Sequence, residues 1–217
     1  METEVKLCFK NKDSLFEVAG SDLFREISVT SDPDTKTLEN YYLDTPDMKI
    51  LKRNGSVRRR LVSGKDSYIE ETVKYGGGSA SGLHRRFEWN FRTDEDKFVI
   101  DSFKNGVSSE GDPIELLDEV FADVTDEDLK ILCFNSFERT AYKLEYKGSI
   151  IEACFDSGVI YNSDKSESEE ICELELELEK GDENVLTELS NLIKAVFDCS
   201  PLDKSKFQRT LELAKRG

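Results

Sequence analysis

Residues 172–181 read CELELELEKG, in which Glu173, Glu175, Glu177 and Glu179 alternate with Leu174, Leu176 and Leu178. Side chains two apart along a strand share a face, roughly 7 Å from one another, so the segment predicts a strand with one row of carboxylates and one row of leucines. The leucines have to be buried. Two readings stand for the glutamates: a wet acidic surface, or an internal face supplied with cations, because like charges stacked along a strand repel.

Recurrence of the pattern favours the second reading. Glu2, Glu4 and Lys6 share a face opposite Val5 and Leu7; Arg58 and Arg60 share another; so do Glu70, Thr72 and Lys74, then Arg86 and Glu88, then Glu152 and Asp156. Each of these short segments carries one charged face. A sheet curled so that those faces converge is an antiparallel β-barrel with a polar, charged lumen and an apolar outside covered by helices. Burying so many ions costs several kcal/mol each unless they are paired or bind something. Clustered carboxylates suit a hard divalent cation, Mg2+ or Mn2+, whereas convergent arginines and lysines recognise phosphate or carboxylate. Cation plus basic clamp is the equipment of phosphoryl transfer.

Outward from these strands, the chain reads strands, helices, strands, helices, without the regular rhythm of a parallel doubly wound fold. DSLFEVAGSDLF (13–24) is weakly helical, REISVTSDPDTKTLENYYLD (25–44) reads as a hairpin about Pro33, and YGGGSASG (75–82) reads as a glycine-rich connection able to cover a tunnel mouth. TDEDKFVIDSFKNG (93–106) predicts a helix capped by Thr93, and DPIELLDEVFADV (112–124) a helix started by a proline. Strands resume around a Lys147-Gly148 turn, SDKSESEE (163–170) reads as an exposed acidic loop, and DENVLTELSNLIKAVF (182–197) and KSKFQRTLELAKR (204–216) predict amphipathic helices.

The 217 residues fit one domain, 1–217, with a packed core. A net charge of -16 argues against nucleic-acid or anionic-membrane partners, and no apolar run approaches the roughly 18 residues of a membrane span. The five cysteines have no zinc-like spacing and read as reduced thiols, so the expectation is a soluble protein in the cytoplasm. His84 is the single histidine, which leaves no His-based triad; it reads as exposed or structural. Trp89, Phe87 and the cysteines read as core, and Asp44 as a turn stabiliser or a site contact.

The ordered motifs resemble those of the CYTH, or triphosphate tunnel metalloenzyme, family: the ExExK of Glu2, Glu4 and Lys6, YYLDTPD (41–47), Arg58 and Arg60, TVK (72–74), Arg86-Phe87-Glu88, FERTAY (137–142), IEACFDSG (151–158), ELELEL (173–178) and SKFQR (205–209). The resemblance implies an α+β fold built on an eight-stranded antiparallel tunnel that binds a small-molecule triphosphate or polyphosphate, as a monomer or homodimer. It also implies metal ligation by Glu2, Glu4, Asp156, Glu173, Glu175 and Glu177, and a phosphate clamp of Lys6, Arg58, Arg60, Lys74, Arg86, Arg139, Lys206 and Arg209. Glu88, with Lys6 and Glu4, is expected at the chemical step. Family members often carry a further acid two residues after Glu88; here the position is Asn90, one carboxylate fewer for a second metal. FERTAYKLEYKGSIIEACFDSG is most similar to inorganic triphosphatase members, which implies hydrolysis of tripolyphosphate to pyrophosphate and phosphate. The alternatives are a class IV-type adenylyl cyclase or a thiamine or nucleoside triphosphatase on the same scaffold, and a noncatalytic polyphosphate-binding module.

Overall fold

Alternation along each strand gives the sheet one apolar and one charged face, and only closure of the sheet on itself hides both. The computed structural model describes residues 1–107, 112–162 and 165–216. Its principal strands are β1 (Glu2–Phe9), β2 (Asp34–Asp44), β3 (Gly55–Ser63), β4 (Tyr68–Ala80), β5 (Leu83–Thr93), β6 (Lys130–Tyr146), β7 (Ser149–Tyr161) and β8 (Ser168–Lys180). They pair antiparallel in the order β5-β4-β3-β2-β6-β7-β8-β1, and β1 returns to β5 to close an eight-stranded barrel. A short β9 (Cys199–Pro201) lies beside the end of β1, where Leu7 faces Pro201 and Phe9 faces Cys199.

The helices are α1 (Lys12–Ala19), α2 (Asp22–Ile27), α3 (Lys49–Lys52), α4 (Ile100–Gly106), α5 (Leu116–Val120), α6 (Asn184–Val196) and α7 (Lys206–Ala214). Helices α1, α2 and α6 pack Leu15, Val18, Phe24, Leu186, Leu189 and Ile193 over the outward Val5, Leu7, Phe155, Leu174 and Leu176. On another side, α4 and α5 bring Phe103, Leu117 and Val120 against Val57, Val73 and Trp89. Each such leucine or phenylalanine contributes about 1.5–3 kcal/mol of burial, which is why the apolar faces point out toward the helices rather than in.

Helix α7 behaves differently. Its Phe207 ring stacks on Tyr42 at 4.8 Å, Thr210 Oγ1 accepts from Asn135 Nδ2 at 2.8 Å, and Leu213 packs with Leu38, Phe137 and Ile171. By strand register Asn135, Phe137 and Arg139 share one face, as do Leu38, Asn40 and Tyr42. Helix α7 therefore fills part of the lumen from one end instead of covering the outside.

Several local expectations are corrected by distant partners. The 25–44 segment is not a hairpin: its first residues finish α2, Ser28 makes a lone bridge to Leu144, and β2 pairs with β3 and β6. Thr93 ends β5 and caps no helix; the first amide of α4, Ile100 N–H, is received instead by Asp126 Oδ1 at 2.9 Å, a partner no local reading can see. The glycine-rich 75–82 stretch is mostly strand, with a bulge between Tyr75 and Gly78 where Gly76 and Gly77 take positive φ. Of the expected acidic loop, residues 163 and 164 lie outside the described residues, and Ser168, Glu169 and Glu170 already belong to β8. Asp44 does stabilise a turn, accepting from Thr45 N–H at 2.7 Å and from the α3 amides of Ile50 and Leu51 at 2.9 Å. No helix of the described residues is long and apolar enough to cross a membrane.

Leu176 is fully buried against α1 and α6. Leu176→Ala removes that packing and is expected to cost about 2–5 kcal/mol, lowering the melting temperature in calorimetry by roughly 2–4 °C per kcal/mol.

Candidate functional site

One cavity of about 470 Å3 runs through the barrel, lined by Glu2, Glu4 and Lys6 of β1, Arg58 and Arg60 of β3, Lys74 of β4, Arg86 and Glu88 of β5, Arg139 of β6, Glu152 of β7, Glu175 and Glu177 of β8 and Lys206 of α7. These residues meet because each sits on the strand face opposite its apolar neighbours: Lys6 stands across from Glu175, Glu4 across from Glu177, and Lys74 across from Glu88. Asp156, Glu173 and Arg209 are outside the cavity lining. Glu179, at the end of the same row, is exposed and pairs with Lys143 at 2.9 Å.

At the α7 end the charges are closed among themselves. Lys206 Nζ lies 2.7 Å from Asp156, 2.6 Å from Glu173 and 2.8 Å from Glu175. Glu175 also takes Lys6 and Arg139, Asp156 accepts Arg139 Nε at 2.7 Å, and Arg209 joins Glu173 to Glu169. The Glu175 carboxyl is held well below its ordinary range: burial alone would raise it, but Lys206, Lys6 and Arg139 outweigh that cost. Asp156, Glu173 and Glu175 each offer an oxygen within 4.8 Å of the others, a spacing a metal could use, yet the Lys206 ammonium already stands among them.

Farther along the tunnel the balance fails in two opposite corners. Arg60 is pushed down to about 10 by burial, then by Arg58 and Arg139; its carboxylate partner Glu70 is 3.6 Å away and is shared with Arg58 at 3.5 Å. Arg58 Nε is buried without a hydrogen-bond partner, although its Nη2 donates to Thr72 Oγ1 at 2.7 Å. This corner lacks an anion. In the other, Glu2 meets Lys74 at 2.9 Å and Arg86 at 3.1 Å, Glu4 meets Arg86 at 2.7 Å, and Glu88 Oε2 lies 2.6 Å from Lys74 Nζ but out of hydrogen-bond alignment. Glu177 has no ion-pair partner among the described residues, and its carboxyl is pushed up to about 8 by burial and by Glu2 and Glu88. This corner lacks a cation.

A donor set made wholly of carboxylate oxygens suits a hard divalent ion; among the described residues only Asp156, Glu173 and Glu175 bring three such oxygens within 4.8 Å of one another, while Glu177, with Glu2, Glu4 and Glu88 acting on its charge, is the carboxylate left without a cation. Glu88 itself is held at about 2: burial would raise it, but the charges of Lys74 and Arg58 prevail. Fixed also by Asn90 Nδ2 at 2.8 Å, it is suited to orienting neighbours and is a weak base.

Some site members were not singled out by sequence reasoning. His84, read as exposed or structural, is buried and lines the cavity, its Nε2 2.9 Å from the Leu202 carbonyl. Since a carbonyl only accepts, Nε2 carries the proton. Asp203 lines the same cavity end; the signal for it, a lone Asp after Pro201-Leu202, is too common to notice.

A model of the CYTH domain matches residues 1–211. The chain belongs to the CYTH domain family. This CYTH chain is 27% identical over 181 residues to the inorganic triphosphatase of Haemophilus influenzae, an alignment covering 83% of the chain and 45% of that protein. It therefore spans less than half the length of that relative. Among solved structures, it is similar to a Hippeastrum protein described as a proposed adenylyl cyclase with a dominant triphosphatase activity (16% identity, TM-score 0.66, 98% and 96% of the two chains covered). A Pyrococcus horikoshii protein is similar at 17% identity and TM-score 0.57, with 98% and 99% covered. At these identities the CYTH fold is what the likeness shows.

Because the Glu177 carboxyl stands above its ordinary 4.5, its protonated form stabilises the cation-free fold, and that contribution declines as pH rises from 4.5 through about 8. Glu177→Gln is expected to raise the melting temperature of EDTA-treated protein above pH 8. If Mg2+ or Mn2+ binds beside Glu177, the same substitution should shrink the rise in melting temperature on adding the ion; calorimetry with and without it measures both.

Proposed function

We propose that this CYTH protein is a metal-dependent triphosphatase that hydrolyses inorganic tripolyphosphate, or a related triphosphate, to a diphosphate and orthophosphate inside its charged barrel. The observation that carries the reading is the pair of opposite deficits in one cavity: Arg58 and Arg60 without sufficient anion, Glu177 without a cation. A linear polyanion and a divalent ion bound together complete both. The similarity to an inorganic triphosphatase of Haemophilus influenzae supports tripolyphosphate as the substrate to try first.

In this reading, Arg58, Arg60 and Arg139 take phosphate oxygens through charge-assisted hydrogen bonds, and Lys6, Lys74, Arg86 and Lys206 hold the remaining phosphoryl groups in line. Arg209, tied to Glu173 and Glu169, supports Lys206 through their common carboxylate and does not reach the cavity. Glu2, Glu4 and Glu177 hold the metal; Glu173, Glu175 and Asp156 hold the lysine and arginine clamp in place. Glu88, ionised and fixed by Asn90 and Lys74, orients the attacking water and Lys74. When bound, Mg2+ or Mn2+ supplies Lewis-acid neutralisation of developing phosphate charge. The barrel supplies the rest by fixing charges in advance, so that little reorganisation is needed as the anion changes shape. A cytoplasmic location goes with this reading, since the five cysteines are all free.

Phosphate release is measured with tripolyphosphate, thiamine triphosphate and ATP, each with Mg2+ or Mn2+. The expected result is metal-dependent release, fastest from tripolyphosphate and abolished by EDTA. Arg60→Met is expected to lower kcat/KM by about 10- to 100-fold, the loss of one hydrogen-bonded charge pair of about 1.5–3 kcal/mol, with the melting temperature unchanged or raised. Cyclic nucleotide from ATP without phosphate release, or binding without turnover for every substrate, would replace this reading.

A further inference from the structure

We propose that Asp203 is a positioning residue: it fastens the turn between β4 and β5 to the start of α7 and so sets where Lys206 stands relative to Lys6. The segment 202–205 joins β9 to α7. Among the described residues, four hydrogen bonds anchor it to the barrel: Leu202 N–H to the Lys6 carbonyl at 3.0 Å, His84 Nε2 to the Leu202 carbonyl at 2.9 Å, Ser79 Oγ to the Asp203 carbonyl at 3.0 Å, and Gly82 N–H to Asp203 Oδ1 at 2.7 Å. Three of the four come from the β4–β5 hairpin.

The hairpin in turn holds β1. The Gly82 carbonyl accepts from Lys6 N–H at 2.8 Å, so Gly82 receives Lys6 through one backbone atom and offers the other to Asp203. Only glycine serves at this junction: φ is +82°, and a Cβ would stand 2.6 Å from the Lys6 carbonyl oxygen. Lys6 and Lys206 are thereby linked twice, by their ammonium groups on the same Glu175 oxygen and by their backbones through Gly82 and Asp203. Ser205 then caps α7 by accepting from Gln208 N–H at 3.2 Å, which leaves Lys206 in the first turn with its direction fixed. The Asp203 side chain is exposed and pairs with no cation among the described residues; its work is the hydrogen bond to Gly82.

The kinetic half of this inference rests on the triphosphatase reading, and the test separates the two. In amide hydrogen exchange on the full chain, Asp203→Ala is expected to speed exchange at Gly82 and also at Gln208 and Arg209, while Asp203→Asn, whose amide oxygen still accepts, matches wild type. Faster exchange at Gly82 alone, or at none of the three, overturns the proposal whether or not the protein hydrolyses anything. In turnover of tripolyphosphate, Asp203→Ala is expected to lower kcat/KM by about 3- to 10-fold, chiefly through KM, with Asp203→Asn within about twofold of wild type. In a Lys206→Met background the same alanine substitution should add nothing. An equal loss in that background, an alanine variant as active as wild type, or an asparagine variant as impaired as the alanine one would each overturn it. A wild type that releases no phosphate refutes the triphosphatase reading and leaves the exchange result to decide the latch.

Discussion

Glu175 receives Lys6, Arg139 and Lys206 together, and the rest of the barrel is arranged around the need to satisfy that buried carboxylate. An ion removed from water costs several kcal/mol, and truncating one partner of a buried pair typically costs about 3–5 kcal/mol because the other charge is stranded. The three cations come from three elements: β1 at the start of the chain, β6 in its middle and α7 near its end. Electrostatics therefore ties the closure of the sheet to the seating of the helix that enters it. A hydrophobic lumen would stabilise a barrel at lower cost, and the expense of an ionic one makes sense when the ions are used.

That use depends on incompleteness. At the α7 end every strong charge has a partner, whereas Arg58, Arg60 and Glu177 retain unspent interaction. A fully paired lumen would bind nothing, since any ligand would first have to break an ion pair. A fully unpaired one would not fold. The division into a satisfied half and an unsatisfied half lets the first support the second.

The barrel and most of its lining were legible in the sequence because period-two alternation is a local signal: ETEVK, SVRRR and ELELEL each state which residues share a face. Their convergence followed from having too many charged faces for one flat sheet. What alternation cannot state is which charge meets which. Asp156 and Glu173, expected among metal ligands, sit around the Lys206 ammonium, a contact between residues 33 or more apart. His84 alternates correctly with Arg86 and Glu88, but a lone histidine between Leu83 and Arg85 has no local mark of burial. The false hairpin about Pro33 and the false Thr93 cap fail for the same reason, since Ser28 bridges to Leu144, β2 pairs with β3 and β6, and the Ile100 amide is received by Asp126.

The three-way pairing of β1 bears on how the chain assembles. Its partners are β5, β8 and β9, and the Lys6–Glu175 contact spans 169 residues. Entropy of loop closure makes such long-range pairing a late and slow event compared with the hairpins β3–β4, β4–β5 and β6–β7, whose partners are adjacent in sequence. The strand partners of β1 all lie later in the sequence, so its apolar Val5, Leu7 and Phe9 have only α1 and α2 to cover them until β8 and α6 are in place. The acids and lysine interleaved with those residues keep this waiting strand soluble, so the side chains that later face the tunnel also serve as gatekeepers against self-association while it is being built.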